Sequence, residues 1–270
     1  ARPVGDVVLW VDTFNNHFEP EVLRAALQVL RAAGYRVHHA QAAGRDARRP
    51  LCCGRTYLAS GRIDKARAEA ARTLDALLPY LRRGATVVGL EPSCLLTMRD
   101  EFLVLGGQPD GAAPGIDAAD AKLLADSAML FEEFLVREKA AGRLTLALGP
   151  LDRARVLVHG HCHQKAFDAF TPVQSVLKWI PGIDLRVVES SCCGMAGAFG
   201  FEHGHFDVST KMAEASLLPA VREAGDDAMI VADGTSCRHQ ILDGAQRHAL
   251  HVAQVLAESV GRASTEGAMP

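Results

Sequence analysis

The sequence has no uninterrupted run of 18 apolar residues, so no membrane-spanning helix is expected. It also lacks an excess of basic residues: 29 Lys and Arg stand against 32 Asp and Glu, a formal net charge of −3. Without clustered Lys and Arg, nothing suggests a nucleic-acid surface. No signal peptide opens the chain, which begins Ala1-Arg2-Pro3 without a Met, so we expect a fragment of a longer polypeptide or a processed chain.

A disulfide scaffold is not expected either. The seven cysteines are an odd number in a chain of 270 residues, whereas secreted disulfide scaffolds are shorter and usually have an even count. A reducing, cytoplasmic compartment fits better, with metal binding or catalysis as the reason for the cysteines. Hydrophobic residues make up 49% of the chain, which is enough to bury a sizeable core.

What the chain does have is a pattern that occurs twice. Each half carries Cys-Cys-Gly and, a similar distance later, a turn of small residues that ends in Cys. The strings are Cys52-Cys53-Gly54 with Glu91-Pro92-Ser93-Cys94, and Cys192-Cys193-Gly194 with Gly234-Thr235-Ser236-Cys237. The repetition predicts a duplicated unit.

Apolar runs and helical patterns alternate in both halves. Strands are predicted at 7–11, 36–40, 86–90, 156–158, 185–188 and 229–232. Amphipathic helices are predicted at 20–33, 62–83, 120–141 and 207–224. This alternation predicts an α/β fold of two pseudo-repeated βαβαβ units with parallel sheets. The predicted domains are a first repeat at 1–105, a linker loop and helix at 106–150, a second repeat at 151–260 and a disordered tail at 261–270.

The cysteines are predicted at the carboxyl ends of strands. Cys94, Cys162 and Cys237 directly follow predicted strands, and both Cys-Cys-Gly turns lie in strand-to-helix connections. Open parallel sheets bind ligands at that edge. Four thiols of the second half are therefore expected to meet: Cys162, Cys192, Cys193 and Cys237. Four thiolates are enough for one cubane iron–sulfur cluster or one tetrahedral zinc.

Other donors surround these thiols in the sequence. Gly194 permits a sharp turn, and the glycine-rich segment 194–200 can aim backbone N–H groups at cluster sulfurs. His161 and His163 flank Cys162, and His239 follows Cys237 by two residues. Each imidazole is a possible metal ligand, or it makes hydrogen bonds in a loop, or it contacts a charged substrate or redox partner.

The first half predicts a weaker site. It has Cys52, Cys53 and Cys94, but Asp12-Thr13-Phe14 stands where a Cys would follow the first strand. Three thiolates can hold a cluster with an open or oxygen-ligated iron, a zinc with a non-Cys ligand, or nothing. Asp12 and Glu91 are the candidate oxygen ligands, although an Asp after a strand is also a common helix N-cap.

These motifs resemble the duplicated cysteine-rich (CCG) domain that is found in heterodisulfide reductase and in the iron–sulfur subunits of glycolate oxidase. The likeness is closer to the C-terminal module of fused FAD-linked oxidases of the D-lactate and D-2-hydroxyglutarate dehydrogenase type. Three further strings carry it: 159–165 (HGHCHQK), 191–197 (SCCGMAG) and 232–240 (ADGTSCRHQ).

The resemblance implies an iron–sulfur module, most simply with a 4Fe-4S cluster, that carries electrons from a flavin toward a quinone or another acceptor. The FAD would sit on a partner dehydrogenase domain or subunit, next to a ferredoxin-like domain, and the chain would be inactive alone. Any membrane association would be peripheral and through these partners. The fullest family pattern closes each repeat with Cys-x-x-Cys, but Glu91 and Gly234 replace the first Cys here. Some family members hold zinc in one repeat.

Three alternatives to an electron-transfer module remain open at this point. The cysteines could be buried small hydrophobes without a ligand. They could form a structural or interaction module that binds zinc and has no redox role. A Cys-Cys pair could also act directly, as nucleophile and resolving thiol of a reductase.

Overall fold

A computed structural model describes residues 3–44, 47–106, 116–190 and 192–266 of the chain. The chain divides into two compact units, Ala1–Phe134 and Leu135–Pro270. Each unit contains one four-stranded sheet in which all described strand pairs are parallel, with helices between the strands. This architecture confirms the predicted α/β fold of two pseudo-repeated units.

The first unit has the sheet order β2-β1-β3-β4. Val7 of the first strand pairs with Thr86 of the third, and the apolar residues Val7, Val8 and Leu9 are buried. The elements in chain order are β1 (Asp6–Leu9), α1 (Thr13–His17), α2 (Pro20–Ala32), β2 (Arg36–His38), α3 (Arg55–Ala59), α4 (Ile63–Leu81), β3 (Thr86–Gly89), α5 (Pro92–Arg99), α6 (Glu101–Leu105), α7 (Ala118–Ser127), β4 (Ala128–Leu130) and α8 (Phe131–Ala140), which runs across the unit boundary.

The second unit has the equivalent order β6-β5-β7-β8. Val156 of its first strand pairs with Met229, the first residue of its third strand, just as Val7 pairs with Thr86. The elements are β5 (Arg155–His159), α9 (Cys162–Ala166), α10 (Thr171–Leu177), β6 (Asp184–Val187), α11 (Phe206–Glu214), α12 (Leu217–Glu223), β7 (Met229–Ala232), α13 (Thr235–Ala245), β8 (Ala249–Leu250) and α14 (Val252–Glu266).

Local chemistry explains where several elements begin and end. Helix α2 starts with Pro20, whose fixed φ suits a first helical position, and it buries Val22, Ala26 and Leu30 on one face. Gly34 follows the helix with φ of +84°, the left-handed conformation that ends many helices. None of the described helices combines the length and apolar character needed to cross a membrane.

The structure corrects four sequence predictions about these elements. Each sheet has a fourth strand, β4 or β8, that was missed because three or two residues are too few for a periodic signal. The predicted linker helix 120–141 is interrupted by β4, which pairs with β3 and so belongs to the first sheet rather than to a linker. The predicted helix 207–224 is two helices, α11 and α12, with a break at 215–216.

The fourth correction concerns the C-terminal end. Helix α14 continues to Glu266, so 261–266 are helical rather than part of a disordered tail, and 267–270 lie outside the described residues. The helix is held by a buried face that includes Val252 and Leu256, and Ser259 Oγ donates a 2.7 Å hydrogen bond to the Gly149 carbonyl. Most of the predicted loop at 106–117 also lies outside the described residues, at 107–115.

Candidate metal centre

The second sheet brings the four predicted thiols to one edge. Strand β5 lies between β6 and β7, and all three strands run parallel, so the segments that follow them leave the sheet at the same end. Cys162 is the first residue of α9 after β5, and Cys237 lies in the first turn of α13 after β7. Cys192 and Cys193 follow β6. This is the edge at which open parallel sheets bind ligands.

The four cysteine side chains make consecutive contacts, in the order Cys162, Cys192, Cys193 and Cys237. The thiol of Cys192 is in hydrogen-bonding contact with those of Cys162 and Cys193, and Cys193 is in contact with Cys237. The ammonium of Lys165 interacts electrostatically with all four. Cys193 and Cys237 are buried, Cys162 and Cys192 are half-buried, and none forms a disulfide. The predicted convergence of the sulfur atoms is therefore present in the fold.

Contacts among the four thiols shift their pKa values in opposite directions. Contact with the Cys162 thiol lowers the pKa of Cys192, together with contact to Cys193, the Gly194 backbone N–H and His161. Contact with Cys193 lowers the pKa of Cys237, and His161 and His159 add to this effect. The pKa values of Cys162 and Cys193 are raised, because each thiol is in hydrogen-bonding contact with Cys192 and is partly removed from water. The thiolate is the metal-binding form of cysteine, and the lowered pKa values of Cys192 and Cys237 favour that form at these two positions.

The Cys-Cys-Gly turn depends on Gly194. Its φ is +91°, and a Cβ atom at this position would lie 2.2 Å from the Ser209 carbonyl oxygen of α11. The close approach lets the Gly194 N–H donate to Cys192 Sγ at 3.3 Å, and the Met195 N–H points to Cys193. The glycine-rich segment 194–200 was predicted to aim backbone N–H groups at sulfur atoms, and these two N–H groups do so.

The two flanking histidines lie beside Cys162. Potential ligand atoms of His161, Cys162 and His163 all lie within 4.8 Å of one another, and the two imidazole rings stack with centroids 5.4 Å apart. Within the described ranges, no three of the four thiols form a group that compact. His161 caps α9, because its Nδ1 accepts the His163 backbone N–H at 3.2 Å. His239 is half-buried on α13.

A buried polar network fixes the loops that carry Cys162 and Cys237. Gln164 accepts the His161 backbone N–H at 3.1 Å and donates to Asp233 at 2.9 Å. Asp233 also accepts the Val252 backbone N–H at 3.0 Å, which ties the end of β7 to α14. Buried Arg238 donates to the Asp233 carbonyl at 2.7 Å. Sequence reasoning gave these residues no role, and their only signal was a polar type inside a motif that follows a strand.

The first half repeats the frame with different side chains. Thr13 stands as many residues after Val7 as Cys162 stands after Val156, and both residues open the helix that follows the first strand of their unit. The Thr13 hydroxyl is in contact with the Cys52 thiol, as Cys162 is with Cys192. Side-chain contacts again link Cys52 to Cys53 and Cys53 to Cys94. Of the three residues that replace a cysteine after the first strand, the register therefore singles out Thr13.

Both carboxylates predicted as possible ligands are helix caps. Asp12 caps α1 by accepting the Asn15 backbone N–H at 3.0 Å and its side-chain amide at 2.7 Å, as the N-cap alternative expected. Burial, with the Glu91 charge adding to it, raises the pKa of Asp12 to about 6 despite these hydrogen bonds. Glu91 caps α5 and accepts the Ser93 hydroxyl at 2.6 Å.

The first-half thiols are held neutral. Contact with Cys53 raises the pKa of Cys52, with burial adding to it. Contact with Cys52 lowers the pKa of Cys53, but contact with Cys94 and burial raise it well above its usual range. For Cys94, contact with Cys53 lowers the pKa, but burial and the charges of Asp12 and Glu91 raise it to about 11. At neutral pH this half opposes thiolate formation.

Comparisons with known proteins agree with the sequence resemblance. Residues 156–242 match the family model of the cysteine-rich domain named CCG. The chain is 29% identical over 261 residues to a subunit of the anaerobic glycerol-3-phosphate dehydrogenase of Escherichia coli K12, and the match covers 96% of this chain and 60% of the relative. It is 26% identical over 155 residues to lactate utilization protein A of Oceanobacillus iheyensis, covering 56% of this chain and 58% of that protein.

A third relative is D-2-hydroxyglutarate dehydrogenase of Pseudomonas putida, which is 25% identical over 267 residues, or 97% of this chain and 23% of the relative. The chain therefore spans about 60% or less of the length of each of these relatives. The matches confirm the resemblance to CCG-domain proteins, and they relate the chain to components of oxidoreductases.

Proposed function

We propose that this chain is the iron–sulfur electron-transfer module of a flavin-linked 2-hydroxy-acid dehydrogenase of the glycolate, D-lactate or D-2-hydroxyglutarate type. In this role it passes electrons from a flavin toward a quinone or another acceptor. The observation that carries the proposal is the meeting of Cys162, Cys192, Cys193 and Cys237 at the carboxyl edge of the second sheet.

The donor set fits an iron–sulfur cluster of the 4Fe-4S type. Four thiols converge, and two of them, Cys192 and Cys237, have lowered pKa values. The backbone N–H groups of Gly194 and Met195 already point to the sulfur atoms of Cys192 and Cys193. The thiols are arranged as a row of contacts rather than as one compact group of ligands among the described residues. When bound, such a cluster supplies one-electron redox chemistry.

A cationic group beside the thiols supports the same assignment. Lys165 is half-buried, faces all four thiols and donates a hydrogen bond to the Ser190 carbonyl. Fixed positive charge next to a thiolate-ligated cluster offsets its negative charge and raises its reduction potential.

The rest of the proposed enzyme belongs to partners. The relatives are longer than this chain, and the names of two of the three contain the word dehydrogenase. We infer that a dehydrogenase domain or subunit carries the FAD and oxidises the 2-hydroxy acid, with a ferredoxin-like domain beside it. The first-half set of Cys52, Cys53 and Cys94, with Asp12 and Glu91 nearby, is proposed as a weaker metal site, since its thiols are held neutral.

One observation favours a second candidate, a zinc-binding structural or interaction module. His161, Cys162 and His163 are a compact group, and imidazole with thiolate is a donor set that suits zinc. Anaerobic purification followed by visible spectroscopy separates the two functions. The electron-transfer module predicts a brown protein whose broad visible absorption bleaches with dithionite, whereas a colourless protein with stoichiometric zinc would contradict it.

A further inference from the structure

His159 is a buried histidine at the end of β5 whose chemistry the proposed function leaves unused. It pairs across the sheet with Ala232, the last residue of β7, and it is 2% exposed. Its Nδ1 lies 2.8 Å from Ser190 Oγ. Its Nε2 is buried and makes no hydrogen bond of normal geometry within the described residues. Buried polar atoms without a hydrogen bond are rare in proteins, so the neighbours of Nε2 need to be identified.

The imidazole of His159 is in hydrogen-bonding contact with the thiol of Cys237. Since Nδ1 faces Ser190 Oγ, Nε2 is the ring nitrogen left for this contact. Strand β7 leads directly into α13, whose first turn carries Cys237, so the pairing of His159 with Ala232 brings the imidazole beside that thiol. The interaction of His159 with Cys237 contributes to the lowered pKa of the thiol, after the effects of Cys193, burial and His161. The orphaned nitrogen and the most deeply buried of the four thiols are thus neighbours.

Resting on the proposed function, we propose that His159 is a positioning residue whose Nε2–H donates a hydrogen bond to Cys237 Sγ when that sulfur is bound to iron. A metal-bound thiolate has no proton and can only accept, so the ring must supply the hydrogen. The Ser190 hydroxyl can donate to Nδ1, which leaves the ring hydrogen on Nε2. An N–H donor to a ligand sulfur stabilises the reduced, more negative state and raises the reduction potential.

The first half provides a matched control. Trp10 stands as many residues after Val7 as His159 stands after Val156, and its side chain is equally buried. Its indole N–H also has no hydrogen-bond partner among the described residues. Because Trp10 belongs to the unit without the four-thiol set, Trp10→Phe should leave the potential of the second-half centre unchanged.

The test is a redox titration of the anaerobic protein, with iron and sulfide measured in every sample. His159→Phe keeps a ring but removes the donor, and we expect normal iron and sulfide with a lower potential. A tenfold shift of the oxidised-to-reduced ratio, about 59 mV for a one-electron couple, is the expected scale. Ser190→Ala should lower the potential by less, because it removes the hydrogen bond to Nδ1 of His159 but leaves the imidazole in place.

A loaded His159→Phe protein with the wild-type potential would overturn this inference and leave the proposed function intact. If His159→Phe does not fold or does not load, Ser190→Ala decides, and a wild-type potential in that variant overturns the inference. Wild-type protein without iron and sulfide would instead contradict the proposed function itself, and the inference with it.

Discussion

The two halves of the chain build the same frame and place side chains of different charge beside its third cysteine. In both, a Cys-Cys-Gly turn meets a cysteine in the first turn of the helix that follows the third strand. In the second half, contact with Cys193 lowers the pKa of Cys237, and His161 and His159 add to this effect. In the first half, contact with Cys53 lowers the pKa of the equivalent thiol Cys94, but burial and the charges of Asp12 and Glu91 raise it to about 11.

Three replacements account for the difference. Thr13 stands in the place of Cys162, Asp12 in the place of His161, and Glu91 in the place of Gly234. The last two are linked, because a Cβ atom at 234 would lie 2.3 Å from the His161 ring, so only glycine leaves room for that imidazole. The comparison teaches that two similar sets of thiol contacts can have different charged neighbours, imidazoles beside Cys237 and carboxylates beside Cys94.

The largest expected effect is on iron and sulfide content, when the equivalent cysteine of each half is substituted in turn. Cys193 and Cys53 are each 3% exposed, and each follows another cysteine. Cys193→Ser should abolish nearly all bound iron and sulfide, because it removes one of four thiolate ligands, whereas Cys53→Ser should leave most of it. Elemental and sulfide analysis of both anaerobic proteins checks this. Equal loss in the two variants would argue against separate sites and for one shared centre.

A smaller effect, a gain in metal content, is expected from introducing the missing fourth cysteine into the first half. Thr13→Cys restores a fourth thiol next to Cys52 and should raise the metal content of the chain by up to one further site. Thr13→Ser keeps the hydroxyl and serves as the control with no gain. Metal analysis after anaerobic reconstitution measures the difference. A Thr13→Cys protein with wild-type metal content would show that the nearby carboxylates, rather than the missing thiol, limit this half.

The smallest expected effect is a pH dependence confined to the first unit of metal-free protein. The pKa of Asp12 is raised from 3.8 to about 6, so the folded state prefers the protonated acid. Its stabilising contribution is complete below pH 4 and is lost as the pH rises through 6, which amounts to about 3 kcal/mol.

Denaturant unfolding can follow this unit through the buried Trp10, in a Trp179→Phe background that removes the other tryptophan. The free energy of unfolding should fall between pH 4 and pH 7, and Asp12→Asn, which retains a capping side chain, should flatten that dependence. A slope that persists in Asp12→Asn would assign the effect to other groups.

Much of the fold was predictable because buried parallel strands and amphipathic helices leave strong patterns. Strands β1, β2, β3, β5, β6 and β7 were all predicted at their observed places. The two edge strands β4 and β8 were not, since so short a segment is defined by its pairing with a neighbour rather than by its own sequence.

The meeting of the second-half thiols was predictable for a similar reason, because cysteines that follow neighbouring parallel strands must share one edge. Their surroundings were not. Only the pairings of Val7 with Thr86 and of Val156 with Met229 show that Thr13, rather than Asp12, takes the place of Cys162. The roles of His159, Gln164 and Asp233 depend on contacts between residues far apart in the chain, which a motif does not specify.

The most direct test of the account is anaerobic quantitation of iron, acid-labile sulfide and zinc per chain. A cluster held by the second half alone predicts about four iron and about four sulfide per chain, with little zinc. One zinc per chain without sulfide would contradict the electron-transfer assignment, and about eight iron would contradict the contrast between the two halves.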